Sequence, residues 1–242
     1  MSPSTASIAA GEGEHHAAIG GNALRASVLG ANDGLVSNLS LVMGVAGAGL
    51  ESSTILITGV AGLLAGACSM AMGEWISVTS SRELYQRELA VERAEIAVHP
   101  VDEHAELVEI YTRRGLDKGN ARVLADHVMA DPDRALEVMA REELGFDPEE
   151  LGGSAWTAAW SSFALFVAGA VVPVAPYLGL SGAGAAAVSV GASGVALFGV
   201  GALITRVTGR SPLRSGLRQL VFGLAAAAVT FGTGALLGVS VG

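Results

Sequence analysis

Cysteine is nearly absent from this chain: Cys68 is the only one, and it lies inside an apolar run. A single cysteine excludes a disulfide framework and a cysteine-based metal site. Charge is scarce too, at 15% of 242 residues, while half the residues are hydrophobic and 33 are glycine. The net charge is −9, so the chain lacks the basic face that nucleic-acid phosphates require. The first 20 residues have neither the basic start nor the apolar run of a secretory signal. They read as a short polar arm in which His15 and His16 are solvated. No nucleophile elbow, phosphate-binding loop or zinc signature occurs. Nothing in the sequence suggests an enzyme or a prosthetic group.

What the chain does have is the composition of a helical membrane protein, in which close helix contacts favour small residues. Five segments approach or exceed the ~20 apolar residues that span a bilayer as a helix. They are Ala23–Gly49, Thr54–Ser80, Ala155–Leu178, Ala183–Thr205 and Ser215–Ser240. Asn32, Asp33 and Asn38 interrupt the first, and Pro173 and Pro176 should kink or end the third. With the amino terminus inside, all 14 Lys and Arg fall on the cytoplasmic side. The positive-inside rule therefore predicts five spans with the amino terminus in and the carboxyl terminus out.

The remaining charge is concentrated. Residues 82–150 carry 18 of the 23 acidic residues and nine of the 14 basic ones, so this block alone accounts for the net charge of −9. The expected organisation is a polar arm (1–20), two spans (21–81), an acidic cytoplasmic helical subdomain (82–150) and three further spans (151–242). Nothing breaks the chain between Met72 and Val98, so the second span should run on as one long helix until His99–Pro100 ends it. Short helices should follow at Glu103–Arg114, Lys118–Met129 and Pro132–Leu144, the last with Asp131 as N-cap and Pro132 at its first position. The fold class is all-α.

Two acids lie within the spans. Asp33 is eight residues beyond Arg25, and Glu74 eight before Arg82, so each sits about 12 Å deep. A carboxylate facing lipid is costly, and intramembrane acids are functional candidates by default. Gly30, Asp33, Ser37, Ser40, Gly44 and Gly47 share a face of the first span. Gly59, Gly62, Gly66, Met70, Glu74 and Ser77 share one on the second. Such faces either pack tightly or line a narrow path into which Asp33, Met70 and Glu74 project. Gly62-x-x-x-Gly66 and Gly234-x-x-x-Gly238 are candidates for contacts between copies. In the acidic block, Glu88, Glu92 and Glu95 fall on one helix face, Glu103, Glu106 and Glu109 on the next, and Met139 and Glu143 are one turn apart. Like charges on one face repel, and a multivalent cation bridging two such faces relieves that cost. Carboxylates suit hard divalent cations, and a methionine sulfur tilts a mixed site towards a transition metal such as Fe²⁺. Glu-x-x-Glu is also common on solvated helices. His99, His104 and His127 lack a metal-binding spacing and should face solvent.

Gly30–Leu35 (GANDGL), Cys68–Trp75 (CSMAMGEW) and the run from Arg87 through Glu92 and Glu95 resemble the vacuolar iron transporter family, which includes nodulin-21-like and bacterial members. The match spans roughly residues 20–240. The resemblance implies a homodimer exporting Fe²⁺, and in some members Mn²⁺, from the cytoplasm in exchange for protons. It implies a multi-pass protein, here of a bacterial plasma membrane, with the metal as cargo. It assigns Glu92, Glu95, Glu103, Glu106, Met139 and Glu143 as cytoplasmic ligands, and Asp33 and Met70 to the path between the first two spans. Plant-type members carry a second-span glutamate where this chain has Gly62; here the acid is Glu74, and Ala140 replaces a second methionine beside Met139. Two other readings stay open: a membrane-anchored metal sensor or store without conduction, and a transporter of Mn²⁺ or Ca²⁺.

Overall fold

A computed structural model describes residues 30–146 and 154–241, and no strand occurs among them. Helix α1 occupies residues 30–47. It is followed by α2 (Ser52–Val98), α3 (Pro100–Arg113), α4 (Lys118–Met129), α5 (Pro132–Glu142), α6 (Ala155–Val174), α7 (Gly182–Thr208) and α8 (Pro212–Val241). The polar arm (1–20), Arg25 and the end of the acidic block (147–150) lie outside the described residues.

The chain forms two compact units, Trp75–Ala158 and the remainder, with α2 and α6 contributing to both. Among the described residues four helices are long and apolar enough to cross a membrane: Ser52–Val98, Ala155–Leu178, Gly182–Arg206 and Pro212–Gly238. The protein is thus an all-helical, multi-pass membrane protein. The described part of α1, interrupted by Asn32, Asp33 and Asn38, is not among the four.

α2 is unbroken for 47 residues, because no proline interrupts it before His99–Pro100. Proline acts at α6 as its chemistry requires. The α-helix ends one residue after Pro173, and a 3₁₀ turn (Ala175–Leu178) carries Pro176 at its start. There Ser189 Oγ donates to the Pro173 carbonyl at 2.7 Å.

In the apolar unit the glycines are used for close approach. A Cβ on Gly34 would collide with the Phe166 carbonyl, and one on Gly169 with the Ala31 carbonyl, so α1 and α6 touch backbone to backbone. Gly234 meets the Gly44 carbonyl and Gly238 the Ala48 carbonyl in the same way, bringing α8 onto α1. Gly62 and Gly66 face Leu41 and Phe166 of the same chain. Both GxxxG pairs proposed above as contacts between copies are therefore occupied within the chain. Spacing identifies a small face but not the helix it meets. Around these contacts, Leu35, Leu39, Val42, Met43, Ile55, Val174 and Leu197 form the apolar core.

The acidic unit has its own core of Ile96, Leu107, Ala121, Val128, Leu136 and Met139. Asp131 caps α5 as expected, accepting from the backbone N–H of Asp133 and Arg134. Asp117 caps α4, accepting from Gly119 and Asn120, and these bonds hold its carboxyl below the usual range. α3 begins at Pro100 rather than Glu103, since proline is favoured in the first turn. α5 ends at Glu142, two residues short of Leu144, and Gly145 follows at φ 73°.

Candidate metal centre

Three helices of the acidic unit bring carboxylates to one place. Glu92 comes from the second half of α2, Glu103 from the first turn of α3, and Glu143 caps the end of α5 with its N–H on the Met139 carbonyl at 2.8 Å. One oxygen from each of Glu92, Glu103 and Glu143 lies within 4.8 Å of the others. Glu92 is 2% exposed and Glu103 8%, whereas Glu143 stays open to solvent along part of its side chain. Bare ions on such a scale repel strongly, and burial removes the water that would screen them.

The proton affinity of each acid rises. Burial first, then the charges of Glu143, Glu103, Glu95 and Glu106, push the Glu92 carboxyl up to about 8. Desolvation and the charges of Glu106 and Glu95 raise Glu103, with a hydrogen bond to Glu92 working against them. Desolvation and Glu106, Glu103 and Glu95 raise Glu143, again offset in part by Glu92. Glu92 Oε1 is buried without a hydrogen-bond partner. Three arginines near the cluster pair with other acids: Arg93 with Asp133 at 3.5 Å, Arg113 with Glu109 at 3.9 Å, and Arg114 with Glu142. A carboxylate cluster with an unfilled buried acceptor, Glu92 Oε1, is suited to a small divalent cation.

Of the six expected ligands in this unit, three converge. Glu95 and Glu106 are exposed and act on the cluster through their charge. Glu106 and Glu143 also line an open cleft of about 370 Å³ with Ile110, Arg113, Arg114 and Glu142. Met139 is fully buried in the apolar core, one turn before Glu143. His104 departs from the expected solvent-facing role. Its Nε2 lies 2.7 Å from Asp126 Oδ1, tying α3 to α4. That pairing joins residues 22 positions apart, a relation that helical spacing does not carry.

In the apolar unit, Asp33 is exposed on α1 and Ser37 Oγ donates to its carbonyl at 2.6 Å. Beside it, Gln219 of α8 hydrogen-bonds to Asn32. Met70 is half-buried, with its methyl carbon 3.6 Å from where a Cβ on Gly30 would stand. Glu74 is half-buried one turn further along α2. α1 and α2 thus bring the thioether to the turn of α1 that also carries Asp33. Sequence reasoning missed Asn38, which is 2% exposed and donates from Nδ2 to the Ala170 carbonyl at 2.9 Å. A polar residue in an apolar run was the available signal.

Comparison with known proteins agrees with these features. The VIT family model matches residues 24–235. Vacuolar iron transporter 1 of Oryza sativa subsp. japonica is 35% identical, covering 95% of this chain and 93% of the relative. Vacuolar iron transporter 2 of the same species is 33% identical over 88% of this chain and 86% of its own length. Vacuolar iron transporter 1 of Arabidopsis thaliana is 34% identical over 87% of this chain and 84% of its own. The chain belongs to the vacuolar iron transporter family, a family of transporters rather than enzymes.

Proposed function

We propose that this protein moves Fe²⁺, and with lower preference Mn²⁺, out of the cytoplasm across a bacterial plasma membrane in exchange for protons. The observation that carries the reading is the carboxylate trio of buried Glu92 and Glu103 with exposed Glu143. In this mechanism hydrated metal is drawn to the acidic unit by Glu95 and Glu106. It displaces the proton held at Glu92 and loses part of its water shell at the trio, with Met139 adding selectivity for a transition metal. The cation then passes to Asp33, Met70 and Glu74, and returning protons neutralise those carboxylates and release it on the far side.

The topology of this reading is five spans, with α1 as the first, the amino terminus and acidic unit inside, and the carboxyl terminus outside. Retention of a 47-residue α2 running from an apolar sequence into an acidic one is consistent with it. A homodimer is part of the proposal. Asp33 is exposed on α1, and a carboxylate facing hydrocarbon is costly, so a second copy covering that surface removes the penalty. The family relatives, named as iron transporters, support the cargo.

The test is Fe²⁺ flux into proteoliposomes, with and without an opposing pH gradient, for the wild type and Asp33→Ala. Flux that follows the gradient and disappears in the variant is expected. Metal binding with no flux in the wild type would instead favour a membrane-anchored sensor or store.

A further inference from the structure

We infer that Asn38 is an additional cation ligand of the transport path, offering its side-chain amide oxygen where α1 meets α2. This rests on the reading of those two helices as the path. The amide has one orientation available to it. Its Nδ2 donates to the Ala170 carbonyl of α6 at 2.9 Å, and a carbonyl can only accept, so Oδ1 is directed away from that contact. It points to α2, 2.9 Å from the position a Cβ would occupy on Gly62. Asn38 is 2% exposed, and Oδ1 has no hydrogen-bond partner among the described residues. Gly62 offers it only a C–H, a weak donor.

The oxygen is therefore buried, fixed in direction and unfilled, in a segment of low dielectric where such a group is expected to have a partner. Its place along the seam gives the partner a chemistry. α1 and α2 pass each other with Met70 beside Gly30, Gly62 beside Asn38, and Gly59 beside Val42. The thioether and the amide oxygen thus occupy successive levels of one seam, eight residues apart on α1, or about 12 Å of helix. A neutral amide oxygen suits a partly dehydrated divalent cation, and it does so without the cost of a second buried charge. Gly62 is what keeps the oxygen uncovered: any side chain there meets Asn38 and the Leu41 methyl.

The experiment uses the full chain in proteoliposomes: wild type, Asp33→Ala, Asn38→Leu and Asn38→Asp. Fe²⁺ and Mn²⁺ flux are measured singly and in competition, and elution as a folded species is checked for each. Asn38→Leu should slow Fe²⁺ flux roughly tenfold, the scale of one lost charge–dipole contact, with metal binding in the acidic unit unchanged. Asn38→Asp keeps an oxygen at the site and should conduct with an altered Fe²⁺-to-Mn²⁺ ratio. A folded Asn38→Leu that conducts at the wild-type rate and ratio overturns the inference. So does an Asn38→Asp ratio equal to that of the wild type, which is the result expected if the oxygen only holds a water or braces three helices. If Asn38→Leu fails to fold, the Asn38→Asp ratio decides alone. A loss of flux in Asp33→Ala beside normal behaviour of both Asn38 variants separates failure of this inference from failure of the transport reading. A wild type that conducts nothing overturns both.

Discussion

The two units handle polar groups in opposite ways. In the acidic unit, polarity is concentrated: carboxylates from three helices meet at one point, and burial together with the repulsion between them raises their proton affinity. In the apolar unit, polarity is rationed to a few groups, among them Asp33, Asn38 and Glu74. Glycine does most of the assembly there, letting α1 touch both α6 and α8 through their backbones. Under the proposed function, one unit holds a charge and the other packs around the passage of one. Each is therefore sensitive to a different kind of substitution.

The largest expected effect lies in the packing. Gly169→Leu or Gly234→Leu drives a side chain into the carbonyl of Ala31 or Gly44. Each should cost about 3 kcal/mol or more, read as loss of the folded species on heating in detergent. Gly73, with nothing within 4 Å of its added Cβ, is the control at the other end of the scale. Gly73→Ala should be neutral or stabilising, by at most about 1 kcal/mol.

Next comes charge in the other unit. Glu92→Gln removes a buried acid from among like charges, so at pH 8 the metal-free protein should gain about 2 kcal/mol, while its affinity for divalent cations falls. Stability and binding moving in opposite directions would be hard to obtain from a residue that merely packs. The pH dependence has a definite sign. The Glu92 carboxyl rises from 4.5 to about 8, so between those values the folded unit keeps a proton that the unfolded chain has lost. Stability of the metal-free unit should then fall as pH rises through that window, and level off on either side. Metal must displace that proton, so affinity should rise with pH, by about tenfold per unit for one proton released, and flatten near pH 8. Titration calorimetry in buffers of different ionisation enthalpy reads both quantities. The smallest effect in this unit belongs to Glu95→Gln and Glu106→Gln. Those residues are exposed and act on the trio through their field, so each should weaken binding less than Glu92→Gln and more strongly at low salt.

Much of this was legible in the chain itself. The charge count marked the acidic stretch, and helical register placed Glu92, Glu103 and Glu143 on separate helices. Asp131–Pro132 and His99–Pro100 marked helix ends through local backbone chemistry. What register does not carry is which faces meet. It could not distinguish Glu92, nearly closed to solvent, from Glu95 three residues on. It could not show that Gly234 and Gly238 would be spent on α1, nor that His104 would find Asp126. It also gave no reason to separate Asn38 from the other polar residues of its helix. Those facts arise from tertiary contact, where a side chain's meaning depends on a partner far away in sequence.

The claim on which the rest depends is that the Glu92, Glu103 and Glu143 cluster holds the metal. Calorimetric titration of the full-length protein with Fe²⁺ under anaerobic conditions at pH 7, for the wild type and Glu92→Gln, tests it most directly. The account predicts binding with net proton release in the wild type, and loss of both the affinity and the proton signal in the variant. A Glu92→Gln protein that binds Fe²⁺ with wild-type affinity and releases the same number of protons would contradict it.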